Sequence, residues 1–213
     1  MNYRSILFFS LLITTALRAP QFQEAVVVLA PYADPKNPGR IVNDTFERGI
    51  ALQLAELVAT KINEKNSAIT VVIIKPSDAQ SAVEAASYAN RLQPSLFCSL
   101  SFYQETSPQP QVSLYRYQHE GDLPLQRSTL ALYPYDQAHR LFSTESALVI
   151  QKMYDSLREQ TGLYCNKPHA LPYKPLLGIA APAYGVEIGI PTTSAWQSLA
   201  EPLALGILHA LTA

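Results

Sequence analysis

The sequence predicts a single α/β domain in which a twisted, mixed but mainly parallel sheet is flanked by helices. Short runs rich in β-branched residues alternate with segments of helical spacing, as expected when crossover helices connect parallel strands. The chain has 213 residues, 48% of them hydrophobic, which is enough to bury one good core. Neither an internal repeat nor a linker is visible, so we expect one domain.

The first half of the chain alternates strands and helices. A β-branched run begins at Ala25 and is ended by Pro31 and a Pro- and Gly-containing loop. The next segment has one apolar stripe at helical spacing, made by Phe46, Ile50, Leu54, Leu57, Val58 and Ile62. An alanine-rich segment follows the second apolar run. The predicted elements are therefore strand 25–29, helix 44–66, strand 69–74, helix 79–92 and strand 96–102.

The second half begins with two further strands and ends with an α/β unit. A polar loop joins the two strands, at 111–118 and 129–133. Ser143-Thr144-Glu145 is typical of a helix start and predicts a helix over 143–160. The last strand is predicted at 183–188 and the last helix at 194–211.

The first 19 residues resemble an export signal. Met1-Asn2-Tyr3-Arg4 is a short positive lead, and residues 5–17 are apolar but too few to span a bilayer comfortably. We predict export to a periplasm or cell-wall space, with cleavage near Ala16 or Ala19. An uncleaved membrane tether is the alternative. The mature domain then covers residues 20–213.

Charge and cysteine content exclude some classes of function. The net charge is −1, so the chain has no basic excess with which to neutralise phosphates, and we expect no nucleic-acid partner. Cys98 and Cys165 are the only cysteines. Export would permit a disulfide, but Cys98 lies in an apolar run, which favours a small buried hydrophobic residue.

One carboxylate, Glu187, lies in the otherwise apolar run 183–190. An unpaired buried charge is costly, so this side chain needs a partner, a proton or a catalytic role. The C-terminal end of a strand is where α/β sheets place their sites, which favours a site role. The structural alternative is a carboxylate bonded to backbone amides or to Tyr184 or Arg48.

A second carboxylate, Glu47, has two interpretations. With Asp44 as N-cap, the spacing of Asp44 and Glu47 is that of a capping box, which stabilises a helix start without any metal. The alternative is that Glu47 belongs to a functional site.

The order of these elements resembles the zinc-dependent N-acetylmuramoyl-L-alanine amidases, the cell-wall hydrolases with the AmiC-type catalytic domain. The resemblance extends from about residue 25 to the C-terminus and implies the muramoyl-amidase type of fold. That family has a strand running into Asp-Pro-Gly-His-Gly-Gly, a glutamate at a helix start, an alanine-asparagine signature, a strand ending in Ile-His-Ala-Asn, and a final Glu-Thr-Gly-Phe. The matching segments here are 27–34 with 37–39, Glu47, Ala89-Asn90, 97–103 and 187–190.

The resemblance also implies the site chemistry. The family binds zinc through two histidines and a glutamate, and a second glutamate acts as general base on the zinc-bound water. Here Ala33 and Ser101 stand in the histidine positions, Glu47 in the ligand position and Glu187 in the base position. A methyl group cannot bind a metal and a serine hydroxyl is a poor zinc ligand, so we predict a degenerate site without a cofactor. The alternative is an active zinc amidase in which His169, in the loop before the last strand, replaces a ligand.

Aromatic and polar residues are predicted around this site. Tyr32, Phe102 and Tyr103 could stack on sugar faces, or could pack as caps of the core. Ser101 and Asn90 complete the predicted binding residues. We expect peptidoglycan or a cell-wall protein as partner. The functional hypotheses are an inactive amidase-like protein, an active peptidoglycan amidase with non-standard ligands, and a carbohydrate- or peptide-binding module.

Overall fold

The computed structural model describes residues 24–33, 37–75, 82–126, 133–192 and 194–212. The predicted leader at residues 1–19 and most of the predicted strand 129–133 lie outside these ranges. Among the described residues, no helix is both long enough and apolar enough to cross a membrane.

A seven-stranded sheet forms the centre of the fold. Its order is β4-β1-β5-β9-β6-β7, and β8 also pairs with β6. All pairs are parallel except β6 with β9, so the prediction of a mixed, mainly parallel sheet is confirmed. A small hairpin of β2 and β3 stands apart from it. The strands are β1 Ala25–Pro31, β2 Ile41–Val42, β3 Thr45–Phe46, β4 Ile69–Ile73, β5 Leu96–Gln104, β6 Gln111–Tyr117, β7 Tyr164–Cys165, β8 His169–Leu171 and β9 Ala183–Ile190.

Helices cover both faces of the sheet. The larger apolar cluster packs α1, α3 and α4 on one face, and the smaller cluster packs α2 on the other. The α-helices are α1 Glu47–Lys65, α2 Ala82–Arg91, α3 Ser143–Arg158 and α4 Ala200–Leu211. Short 3-10 helices are Tyr135–Phe142, Lys174–Leu176 and Ala195–Leu199. The predicted flanking helices are confirmed, although the last of them begins as a 3-10 turn.

The start of α1 differs from the prediction. Residues 41–46 form the β2–β3 hairpin, whose turn residues Asn43 and Asp44 have positive φ angles of 46° and 66°. The helix therefore begins at Glu47 rather than residue 44, and Phe46 at its N-cap makes no side-chain capping bond. The capping-box interpretation of Asp44 and Glu47 is wrong, because Asp44 turns the hairpin.

Both cysteines are free thiols. Cys98 is fully buried in the larger apolar cluster, and Cys165 packs against the edge of that cluster. Burial raises the pKa of both thiols. The prediction that Cys98 acts as a small buried hydrophobic residue is confirmed.

Candidate functional site

The candidate site lies on one face of the sheet near the C-terminal ends of β5 and β9. Leu100 and Phe102 of β5 point into the larger apolar cluster, so the alternating residue Ser101 faces the other side. Ser101 lies in register with Glu187 on β9, and Ser113 on β6 pairs with Glu187 from the opposite side. The sheet therefore brings polar residues from three neighbouring strands together.

Glu47 joins this site from the first residue of α1. Its side chain is only 1% exposed. One carboxylate oxygen accepts a hydrogen bond from the backbone N–H of Phe102 at 2.7 Å, and the other accepts one from the N–H of Arg40 at 3.0 Å. The buried carboxylate is thus satisfied by backbone amides and ties the start of α1 to the end of β5.

Gly39 lies directly against Glu47, and Ala33 lies directly against Gly39. Gly39 has φ +82°, and a Cβ placed on it would come within 2.5 Å of Glu47 Oε2 and 3.0 Å of Ala33 Cβ. The close approach of this loop to Glu47 therefore requires a glycine. Ala33, itself at φ +78°, packs its methyl group near Gly39.

Glu187 is held by an ion pair and a phenol. Its Oε1 accepts a hydrogen bond from Nη1 of Arg40 at 2.7 Å, and its Oε2 accepts one from the hydroxyl of Tyr115 at 2.8 Å. The Glu187 side chain is 17% exposed, whereas that of Arg40 is 54% exposed. The expected partners of the structural alternative, Tyr184 and Arg48, are therefore replaced by Arg40 and Tyr115.

Tyr173 covers the Ser101 side of the site. The Tyr173 hydroxyl lies 3.1 Å from Ser101 Oγ, which also donates to the Val186 carbonyl at 3.4 Å. The ring lies against Gly185, where any Cβ would overlap with it. It stacks on Tyr115 with ring centroids 5.0 Å apart and planes inclined by 15°.

The electrostatics of the site follow from these contacts. Burial opposes the charged form of Arg40, but the hydrogen bond and charge of Glu187, with a contribution from Glu47, leave its pKa above the ordinary value. Burial, and then the bond to Glu187, raises the pKa of Tyr115. Burial likewise raises the pKa of Tyr173. The site at neutral pH therefore combines a fixed guanidinium with neutral phenols.

Three of the predicted binding residues make contacts within the protein. Asn90 donates to the Gly178 carbonyl at 2.8 Å and accepts from the Ala180 N–H at 2.7 Å, so it clamps α2 to a loop. Phe102 is fully buried in the core rather than at a rim. The hydroxyl of Tyr103 lies 2.7 Å from Gln111 Oε1 and 3.1 Å from Glu105 Oε2, at the end of β5.

Tyr32 and His169 remain at the surface. The Tyr32 side chain is 49% exposed beside Ala33. His169 lies in β8 rather than in the expected loop, is exposed, and stacks on Tyr115 at 5.9 Å. Within the described ranges, no group of three or more His, Cys, Asp or Glu side chains is placed to hold a metal ion.

Sequence reasoning missed Arg40, Tyr115 and Tyr173. A signal existed for Arg40, because a lone carboxylate in an apolar strand requires a cation and Arg40 follows the tight Pro38-Gly39 turn. Gly185, two residues before Glu187, signals that a bulky ring covers the same face of β9. For Tyr115 the only signal is its alternation with the buried residues of β6.

Comparisons with known proteins agree with this architecture. The family model for N-acetylmuramoyl-L-alanine amidase matches residues 27–201. Among solved structures, the catalytic domain of CwlV, an N-acetylmuramoyl-L-alanine amidase from Bacillus (Paenibacillus) polymyxa var. colistinus, is similar, with a TM-score of 0.62 and 17% identity over 88% of this chain and 96% of that one. The N-acetylmuramoyl-L-alanine amidase AmiC2 of Nostoc punctiforme is also similar, with a TM-score of 0.64 and 15% identity over 89% of this chain and 98% of that chain.

The CwlD amidase from Clostridioides difficile was solved in complex with the GerS lipoprotein. It is similar with a TM-score of 0.54 and 13% identity over 88% of this chain and 97% of that chain. No curated protein matches the sequence. Because the family model covers most of the chain, this protein belongs to the N-acetylmuramoyl-L-alanine amidase family.

Proposed function

We propose that this chain is an exported, degenerate N-acetylmuramoyl-L-alanine amidase that binds peptidoglycan or a cell-wall partner without hydrolysing it. The observation that carries the proposal is the ion pair of Arg40 with Glu187, at 2.7 Å. The resemblance to the family proposes Glu187 for the position of the general base. A cation of the protein itself balances the carboxylate.

The residues at the other positions do not fit a zinc ion. Ala33 offers only a methyl group, and the Ser101 hydroxyl is a poor zinc ligand that already lies beside Tyr173 and the Val186 carbonyl. Both oxygens of Glu47 accept backbone N–H bonds. Metal-assisted hydrolysis needs an ion that lowers the pKa of its bound water, and this set of residues provides no means of holding one.

Exposed aromatic and aliphatic side chains support a remaining role in binding. Tyr32 presents a half-exposed ring, which combines apolar area with a polar tip and suits the face of a sugar. Ile41 and Phe46 pair across the β2–β3 hairpin and are 67% and 49% exposed. The complex of CwlD with GerS shows that one amidase of this fold associates with a lipoprotein. We further propose that residues 1–19 direct export and that the protein acts in the periplasm or the cell wall.

The test combines metal analysis with two assays on purified sacculi. We expect elemental analysis of protein purified in zinc-containing buffer to show far less than one zinc per chain. We also expect the protein to release no stem peptide from sacculi. We expect the protein to sediment with sacculi, and Tyr32→Ala to weaken that sedimentation. Sedimentation that is absent, or unchanged in Tyr32→Ala, would contradict the proposed role of Tyr32 in peptidoglycan binding.

The competing hypothesis is an active amidase with His169 as a replacement ligand. It predicts stoichiometric zinc that is lost in His169→Ala, together with peptide release that is lost in Glu187→Ala. That pair of results would overturn the degenerate-enzyme proposal. Lys167→Ala, an exposed position just before β8, is the control for handling of the variants.

A further inference from the structure

A cavity of about 330 Å³ lies between the end of β6 and the start of α3. Its walls are residues 116–118 of β6 and the following loop, residues 122–124 of that loop, and the helical segment from residue 139 to residue 147. All of these residues belong to the described ranges. No residue that hydrogen-bonds to Glu47 or Glu187 lines this cavity, so it is separate from the candidate site.

The first indication of a ligand is the imidazole of His139. This side chain is only 8% exposed and lines the cavity. Its Nε2 lies 3.3 Å from Asp122 Oδ2, and because a carboxylate can only accept, Nε2 carries the proton. Its Nδ1 is buried and has no hydrogen-bond partner within the part of the chain that the structure describes. Buried polar atoms are almost always paired, so Nδ1 indicates a ligand atom that donates to it.

The surroundings of His139 and Asp122 fix their charge. Burial lowers the pKa of His139, although the contact with Asp122 opposes the shift. Burial alone would raise the pKa of Asp122, but the hydrogen bonds from the His119 N–H, at 3.0 Å, and from His139 lower it overall. At neutral pH a neutral imidazole therefore faces a carboxylate, and Nδ1 holds a lone pair.

The start of α3 contributes donors to the same cavity. Ser143 and Thr144 are the first two residues of this 16-residue helix, and both line the cavity. The Ser143 hydroxyl is buried and has no partner among the described residues, and Phe142 at the N-cap makes no side-chain capping bond. The first N–H groups of a helix have no partners within the helix and carry partial positive charge, which favours an anion.

Arg116 adds a full positive charge. This partly buried side chain, near the end of β6, lines the cavity and forms no ion pair with any residue that the structure describes. The second arginine of the lining, Arg140, lies 3.9 Å from Asp122 Oδ1 and donates to the Leu123 carbonyl at 2.8 Å, so the carboxylate offsets its charge. The guanidinium of Arg116 therefore remains for an anionic ligand.

We propose that this cavity binds a phosphate group that retains one proton, either inorganic phosphate or a phosphate monoester. The phosphate oxygens accept from Arg116 and the start of α3, and the P–OH donates to Nδ1 of His139. A protonated phosphate both accepts and donates, as this lining requires, whereas fully ionised sulfate can only accept. The inference does not rest on the proposed function, because the cavity lies apart from Glu47 and Glu187.

The test is calorimetric titration of the full chain at about pH 6, where about half of a phosphate monoester still carries its second proton. The probes are inorganic phosphate, methyl phosphate and sulfate at equal ionic strength. We expect phosphate to bind about tenfold more tightly than sulfate, since a factor of ten corresponds to one good polar contact. Tighter binding of methyl phosphate than of inorganic phosphate would assign the site to a monoester, and the reverse would assign it to the free ion.

Vesicles distinguish two sources of a monoester. Sedimentation with phosphatidylcholine vesicles that contain phosphatidic acid, but not with pure phosphatidylcholine, would assign the phosphate to a lipid headgroup. Binding of methyl phosphate without such sedimentation would assign it to a soluble molecule.

Variants locate the binding. We expect Arg116→Gln to weaken phosphate binding about tenfold, whereas Arg48→Gln, an exposed arginine outside the cavity, leaves it unchanged. Ser143→Ala should weaken binding about tenfold, with the exposed Ser67→Ala as its control. His139→Phe keeps a ring beside Tyr117 but removes Nδ1, so it should bind phosphate and sulfate with equal affinity.

The proposal is overturned if inorganic phosphate and methyl phosphate both fail to bind, or if Arg116→Gln binds phosphate as tightly as the wild type. Equal affinity of the wild type for phosphate and sulfate would also overturn it, because Nδ1 would then receive no proton from the ligand. Thermal melting checks that each variant folds. Ser143→Ala removes only a hydroxyl and keeps the test decisive if Arg116→Gln or His139→Phe does not fold.

Discussion

The ion pair of Arg40 with Glu187 should be measurable as a coupling free energy. A fully buried pair that loses one partner typically costs about 3–5 kcal/mol, and an exposed pair about 0–1 kcal/mol. Here the Glu187 side chain is 17% exposed and that of Arg40 is 54% exposed, so solvent screening places the pair between these limits. We expect Arg40→Met to lower the free energy of unfolding by about 1–2 kcal/mol.

A double-mutant cycle isolates the interaction free energy of Arg40 with Glu187. The four proteins are the wild type, Arg40→Met, Glu187→Gln and the double variant, each unfolded in urea at neutral pH. The Tyr115 hydroxyl can donate to the side chain at position 187 in all four proteins, so its hydrogen bond cancels in the cycle. We therefore expect a coupling energy of about 1–2 kcal/mol that falls as salt is added. A coupling energy within about 0.5 kcal/mol of zero, the level at which independent sites add, would refute the reasoning.

Three further results are expected. Glu47→Gln should lower the free energy of unfolding by about 1.5–3 kcal/mol in urea denaturation, because a glutamine amide cannot accept from both the Arg40 and Phe102 N–H groups; a change below about 0.5 kcal/mol would contradict this. Gly39→Ala should cost about 1–3 kcal/mol in the same assay, through its positive φ and the overlap with Glu47, whereas Gly121→Ala, at a similar φ but with open space around it, should cost less. Burial, followed by the bond to Glu105, raises the pKa of Tyr103 to about 12, so its contribution to stability is complete below the unfolded pKa of about 10 and is lost as pH rises towards 12. Tyr103→Phe should flatten the fall in melting temperature over that range, and an unchanged slope would argue against it.

Elements defined by local periodicity could be predicted from the sequence. The β-branched run at β1 and the apolar stripe of α1 each follow from a pattern within one segment. The mixed sheet follows from the alternation of such segments along the chain. The β2–β3 hairpin was missed because Asp44 and Glu47 also fit a capping box, and nothing local separates the two readings. The positive φ angles of Asn43 and Asp44, which are those of a two-residue hairpin turn, decide between them.

The residues of the candidate site also differ in how far the sequence predicts them. The resemblance to the amidases proposes Glu47 and Glu187 as site residues, and both carboxylates accept hydrogen bonds from Arg40. The lone carboxylate of Glu187 signals that a cation is needed, but it does not say which one, because Arg40 meets Glu187 across 147 residues of sequence. Tyr173 is similar: its contact with Ser101 depends on the path of the loop after β8.

The position of Arg40 has a consequence for any attempt to restore a metal site. Two carboxylates at the end of a sheet need positive charge, and here a guanidinium supplies it at Glu187. A divalent ion bound nearby would be repelled by that guanidinium. For any divalent ion and guanidinium about 8 Å apart, an effective dielectric constant of about 20 gives a repulsion of about 4 kcal/mol. Partial exposure and salt would reduce this to roughly 1–2 kcal/mol, or about tenfold in affinity.

Replacing Ala33 and Ser101 with histidine should therefore not be sufficient. We expect the double variant Ala33→His, Ser101→His to bind zinc about tenfold more weakly than the triple variant that also carries Arg40→Ala, measured by competition with a chelator. The contact of Ser101 with Tyr173 must be broken in both proteins, so their difference reports the charge of Arg40 alone. Equal zinc affinity of the two would show that the guanidinium does not oppose the ion, and would leave the missing imidazoles as the sole barrier to metal binding.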